Sequence, residues 1–163
     1  MKRSKMPSKK VRQSRINMVQ MVLPNDTNPL GNVLGGRVMH WIDIAAAIVA
    51  HRHCRSVVVT ASMDSLQFLH PVKMGELVLI EAWLNCTFHT SLEIEVHVSS
   101  ENNLTGERKK TATAFLSFVA LDEQGQPREI PPLKAVSKIE ERRCREAKQR
   151  RRKRLQDRLA RIP

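Results

Sequence analysis

Val38-Met39-His40-Trp41-Ile42-Asp43-Ile44-Ala45-Ala46-Ala47-Ile48-Val49-Ala50 is a long, mainly apolar stretch with neither Pro nor Gly inside it. Its Ala and Ile content predicts a helix buried on most sides, not a surface helix with one polar face. The segments around it change period. Ile16 to Leu23 predicts a strand, closed by the turn-forming cluster Pro24-Asn25-Asp26-Thr27-Asn28-Pro29. After the helix, Val57, Val59, Ala61 and Met63 alternate with Val58, Thr60 and Ser62, the period of a strand in a half-buried sheet. Leu77 to Cys86, Leu92 to Val98 and Thr111 to Leu121 supply three more strands, parted by turns at Pro71 to Gly75, His89-Thr90 and Ser100 to Gly106. One strand, one helix and four consecutive strands predict an α+β domain with an antiparallel sheet on a single helix. A parallel sheet would need more crossover helices.

Charge divides the chain differently. The net charge of +12 is concentrated at the ends: residues 1–15 hold seven Lys or Arg and no acid, and residues 134–163 hold thirteen against four acids. Residues 16–133 hold eight basic and twelve acidic side chains. This predicts a basic disordered arm over 1–15, a domain over 16–133 and a basic C-terminal segment over 134–163. Ser137-Lys138-Ile139-Glu140 fits a capping box that starts a helix in that last segment. The run Arg150-Arg151-Arg152-Lys153-Arg154 can meet polyanions nonspecifically, or remain a solvated helix laced by Glu141–Arg145 and Glu146–Arg150 pairs.

Cys54, Cys86 and Cys144 are an odd set without a CxxC pair, which predicts free thiols and a reducing, cytoplasmic setting. No apolar run approaches the roughly 20 residues of a membrane span. His51-Arg52-His53-Cys54 lacks a second ligand cluster with metal spacing and is expected to be a solvated helix end, so no metal site is assigned. Cys86 with His89 lacks a third group for nucleophilic catalysis.

Asp43 is the chemical anomaly, because a carboxylate among apolar groups must be paired or change its pKa. A structural hydrogen bond and a catalytic role both stay open on helix position alone. Gly35-Gly36 stands at the expected helix entry, where backbone N–H groups carry partial positive charge and can meet an oxyanion.

Asn25-Asp26-Thr27-Asn28, Gly31-Asn32-Val33-Leu34-Gly35-Gly36 and Trp41-Ile42-Asp43 together resemble the acyl-CoA thioesterase type of hotdog domain. Phe68-Leu69-His70-Pro71-Val72, Val96-His97-Val98, Leu104-Thr105-Gly106 and Phe118-Val119-Ala120-Leu121 extend the resemblance in order over roughly residues 15–133. It implies a hotdog fold, a five-stranded antiparallel sheet wrapped around one long central helix, followed here by the basic C-terminal helix. It also implies at least a homodimer, with a trimer of dimers left open, and active sites at the dimer interface. Hydrolysis of acyl-CoA to free fatty acid and coenzyme A is the implied reaction, with coenzyme A as part of substrate and product and no separate cofactor.

The resemblance assigns catalysis to Asp43, as general base or nucleophile, and to Asn28, contributed by opposite protomers. Gly35 and Gly36 become oxyanion donors, and Asn32 remains a turn residue. For the coenzyme's phosphates the candidates are Arg55, Thr90, Ser91, Arg108, Lys109 and Lys110. Two alternatives stay open: a non-catalytic acyl-CoA or polyanion binder, and a hotdog-fold hydratase in which His40 assists Asp43.

Overall fold

The computed structural model describes residues 6–160. In chain order the elements are β1 (Lys9–Lys10), β2 (Ile16–Met21), α1 (Gly35–Cys54), β3 (Val57–Asp64), β4 (Leu77–Thr87), β5 (Ser91–Glu101), β6 (Arg108–Leu121), β7 (Leu133–Lys134) and α2 (Lys138–Ala160). Five of the strands form one antiparallel sheet in the order β2-β4-β5-β6-β3, and α1 touches all five. The α+β architecture expected from the sequence is therefore the observed one.

Alternation along the three central strands explains the core. Val78, Ile80, Ala82 and Leu84 of β4, Leu92, Ile94, Val96 and Val98 of β5, and Ala112, Ala114, Leu116, Phe118 and Ala120 of β6 are all buried on the inner face. Against them α1 places Val38, Ile42, Ala45, Ala46, Val49 and Ala50, each at 0% exposure. The small alanines let the helix approach a curved sheet closely, so burial of this one helix drives the assembly.

The C-terminus of α1 corrects one expectation. His53 and Cys54 are buried instead of forming a solvated end. His53 Nε2 lies 2.8 Å from the carbonyl of Pro131, and burial pushes the imidazole pKa down despite that bond. The Lys9 ammonium donates to the His53 carbonyl, Lys9 and Lys10 pair in parallel with Leu133 and Lys134, and Val11 is buried. Residues 9–15 are thus ordered against the domain rather than a disordered arm, because their backbone and Val11 find partners that composition does not reveal. The first five residues of the expected arm lie outside the described residues.

The outer face of the sheet is covered by α2. Its start keeps half of the expected capping box: the Glu140 N–H donates to Ser137 Oγ at 3.2 Å, while the Glu140 carboxylate accepts from the N–H of Val136, one residue earlier than the box requires, at 2.7 Å. The arginines of the helix then turn inward. Arg143 stacks over Trp83 at 4.5 Å, Arg150 over Phe115 at 3.9 Å and Arg151 over Phe88 at 4.6 Å. Glu93, at 0% exposure, accepts three hydrogen bonds from Arg150, at 2.7, 3.1 and 3.3 Å, and one from Arg154, which also pairs with Asp64. Glu95 is held below the usual carboxylate range: burial alone would raise it, but bonds from His97 and Asn85 and the charges of His97 and Arg143 outweigh that. The helix is therefore docked along one face, through Arg143, Cys144, Ala147, Arg150, Arg151 and Arg154, while most of its other residues stay exposed. Of the expected intrahelical pairs, neither forms among the described residues; Arg142 bridges Glu146 instead.

A second correction concerns sulfur. Cys86 on β4 and Cys144 on α2 are joined by a disulfide, and only Cys54 is a free cysteine. Docking of α2 brings two residues 58 apart in sequence to a Cα separation of 4.7 Å, a proximity that spacing alone does not predict. The reducing setting inferred from three free thiols loses that support.

Arg150→Ala leaves the buried Glu93 carboxylate short of a partner and is expected to cost about 3 kcal/mol of stability in urea denaturation. Adding Glu93→Gln in that background should restore part of the loss, because the uncompensated charge is gone.

Candidate active site

The loop before α1 is tied to the helix through Asp26. Its carboxylate accepts the Leu23 N–H at 3.0 Å and pairs with Arg37 of the first helical turn at 2.8 Å, and its carbonyl accepts the Leu34 N–H at 2.8 Å. Within this frame Asn28 folds on itself. Its Oδ1 accepts from the N–H groups of Leu30 and Asn32, at 3.0 and 3.2 Å, and Gly31 turns the chain with φ of +76°. The side-chain oxygen is thereby committed, which leaves the Asn28 NH₂ as the group that can face a ligand. Asn32 is the other half of this turn, as expected.

Asn28 and Gly35 line one cavity of about 290 Å³, with Phe68, His70 and Thr111 on its far wall. The N–H groups of Gly35 and Gly36 precede the first helical hydrogen bonds and point out of the helix end. The two glycines are not equivalent. A Cβ at Gly35 would be in ordinary contact with the Phe68 ring at 3.4 Å, so that ring lies against the helix entry, whereas Gly36 is exposed with nothing within 4 Å.

Asp43 is half-buried, and Thr60 Oγ1 on β3 donates to its Oδ1 at 2.8 Å. The apolar helix tolerates this acid because the sheet covers only part of its circumference. Met39, His40, Asp43, Ile44 and Ala47 form a stripe at helical spacing that stays exposed or half-exposed, beside exposed Val57 and Val59 on β3. His40 makes no hydrogen bond to Asp43 among the described residues. Thr60 escaped the sequence reading, since its only signal was a polar residue in the strand alternation Val58, Thr60, Ser62.

Within one chain, Asp43 and Asn28 do not meet. Asp43 lies eight residues along the helix from Gly35, about 12 Å at the helical rise, and it does not line the Asn28 cavity. The phosphate candidates are also divided. Thr90 and Ser91 border a groove with α2, while Arg108 pairs with Glu101 at the opposite end of β6 and Lys109 stands by Glu107. Arg55, exposed at the end of α1, belongs with the Thr90 end of the sheet. The thiols offer no rival nucleophile: Cys86 is in the disulfide, and burial pushes the Cys54 thiol up to about 11. No cluster with metal-ligand geometry occurs among the described residues.

Residues 30–107 match the model of the thioesterase superfamily. The uncharacterized acyl-CoA thioester hydrolase YkhA of Bacillus subtilis is 42% identical over 130 residues, 80% of this chain and 74% of that protein. The chain spans 37% of the cytosolic acyl coenzyme A thioester hydrolase of Mus musculus, at 34% identity. Among solved structures, an apo-hexameric acyl-CoA thioesterase is 39% identical with a TM-score of 0.90, covering 96% of this chain and 100% of that one. The acyl-CoA hydrolase of Staphylococcus aureus, in complex with butyryl coenzyme A, coenzyme A and coenzyme A disulfide, is 32% identical with a TM-score of 0.87 and 94% coverage of both chains. That hydrolase has also been solved with alanine replacing an aspartate, a threonine and an asparagine, which bear the numbers 43, 60 and 28 there.

Asp26→Ala is expected to free the loop from α1. Stability should fall by about 2 kcal/mol, and amide hydrogen exchange should accelerate at Leu30 and Asn32 ahead of the sheet.

Proposed function

Because the chain belongs to the thioesterase superfamily, we propose that it cleaves acyl-CoA in a site made from Asp43 and Thr60 of one protomer and Asn28 and Gly35 of another. The activity itself is acyl-CoA thioester hydrolysis on a hotdog fold. The observation that carries the proposal is the division of the machinery within a single chain. One protomer presents a half-buried carboxylate on an uncovered helix stripe, and separately a cavity with outward-facing N–H donors. A second copy docked along the β3 edge would cover the exposed Val57, Val59, Met39 and Ile44 and bring its cavity to Asp43. The hexameric relative supports such an oligomer.

In this site the thioester carbonyl points at the Asn28 NH₂ and the Gly35 N–H, with the Gly36 N–H beside it. These donors match the charge that develops on oxygen, each worth roughly 3–4 kcal/mol in other enzymes. Asp43 takes a proton from water as the water oxygen bonds to the carbonyl carbon. The tetrahedral oxyanion then collapses, the C–S bond breaks and the coenzyme thiolate leaves, taking up a proton. Thr60 holds Oδ1 of Asp43 and leaves Oδ2 to face the water. Lys109 and Lys110 adjoin Thr111 at the cavity and are the cations proposed to meet the coenzyme's phosphates. No described helix is long and apolar enough to cross a membrane. A cytoplasmic location is supported by the cytosolic mammalian relative.

Thiol release from acyl-CoA of graded chain length tests the reaction. Asp43→Asn should lower kcat by roughly 10²-fold or more with folding intact. Thr60→Val removes one hydrogen bond to a charged group and should lower it by about 10- to 100-fold. An Asp43→Asn protein as active as the parent sinks the mechanism, and an acyl adduct on Asp43 in mass spectra would make it the nucleophile instead.

The shared site has its own test. Asp43→Asn and Asn28→Ala chains, each inactive alone, should regain about a quarter of parental activity when co-expressed, since half of the random dimers are mixed and each mixed dimer has one intact site. Absence of any recovery in verified mixed oligomers would place both residues in one protomer's site.

A further inference from the structure

The disulfide is the covalent tie between α2 and the sheet, and it sits where the charged tie also sits. A β-bulge between Leu84 and Cys86 sets Cys86 opposite Glu93 in the β4–β5 register, and the Asn85 amide beside it donates to Glu93 and Glu95. Two fastenings of the helix therefore converge on one place: Cys144 bonded to Cys86, and, further along α2, Arg150 and Arg154 on the buried Glu93 carboxylate. They differ in kind. The ion pairs are indifferent to thiols, whereas an S–S bond exchanges with them.

The two sulfurs are not equally open. Cys86 is 2% exposed, while Cys144 is half-buried between Arg143 and the exposed Arg145. An incoming thiolate therefore attacks Cys144 Sγ, and the neighbouring guanidiniums attract an anionic thiol such as glutathione. A new S–S bond forms to Cys144 as its bond to Cys86 breaks, and Cys86 leaves with the electron pair and takes up a proton. A second glutathione thiolate attacks the glutathione sulfur of that mixed disulfide and releases Cys144. Two glutathiones are oxidised to one disulfide, and the protein bond is reduced to two thiols.

We propose that Cys86–Cys144 is a thiol-operated clamp that sets how firmly α2 is held on the sheet. When the bond is open, the charged and cation–π contacts alone keep the helix docked, and it lifts locally more often. In the cytoplasmic setting proposed above, the bond meets a reducing thiol pool, where disulfides are exchanged instead of permanent. The clamp is independent of hydrolysis and is read without turnover.

Trypsin reports the opening, because α2 is dense in Lys and Arg and is cut only where it unfolds locally. The full chain is equilibrated in glutathione buffers of graded reduced-to-oxidised ratio. Intact mass after thiol alkylation counts the disulfide, and cleavage within residues 138–160 is timed in the same buffers. The reduced parent and C144S should be cut roughly tenfold or more faster than the oxidised parent. The parent should move between the two rates reversibly with the ratio, and C54A, which lacks the remaining thiol, should follow it. Three free thiols in the most oxidising buffer, a bond that survives the most reducing one, equal cutting of oxidised, reduced and C144S chains, or loss of the response in C54A overturns the proposal.

Discussion

The rest of the structure depends on a single burial event, the enclosure of α1 by a sheet that covers it on most but not all sides. Val38, Ile42, Ala45, Ala46, Val49 and Ala50 are removed completely from water, and alanine at three of those positions sets how closely the strands can curl. The uncovered remainder of the circumference is equally consequential. It leaves Asp43 at a place where a carboxylate can keep contact with solvent and a hydroxyl partner, rather than in a core where its charge would be costly.

The loop of residues 23–34 depends on the same helix. Its geometry is fixed less by regular structure than by Asp26, which joins the loop's backbone to Arg37 on the first turn. That anchorage sets Asn28 with its oxygen turned inward, so its amide is limited to donating hydrogen bonds outward. The chemistry proposed for it follows from that orientation, as a donor to a carbonyl oxygen rather than an acceptor from water.

On the outer face the physics changes from apolar burial to compensated charge. Trp83, Phe115 and Phe88 offer ring faces, and Glu93, Glu95 and Asp64 offer carboxylates, to a helix whose docked face is largely arginine. Most of the inward-facing charge of that helix is thereby neutralised within the chain. This is why a run that looks in sequence like a polyanion-binding tail is docked in the fold along one face, with Arg152 and Lys153 left exposed.

The main architecture, one strand, a long helix and four strands, was legible because one long apolar, Ala- and Ile-rich run lacks Pro and Gly while the segments after it alternate at period two. Asp43, Asn28 and the Gly35-Gly36 entry were legible as residue types in ordered motifs. Thr60 was not, because a threonine in an alternating strand carries no mark of what its hydroxyl faces. His53, Val11, the Cys86–Cys144 bond and the docking of Arg150 on Glu93 were also beyond the sequence, since each joins segments 40 or more residues apart. Local pattern fixes which face of an element is apolar, but not which distant side chain meets it. Only the closed packing of α1 and the sheet decided that the Asp43 carboxylate meets Thr60 and stands outside the cavity that Asn28 lines.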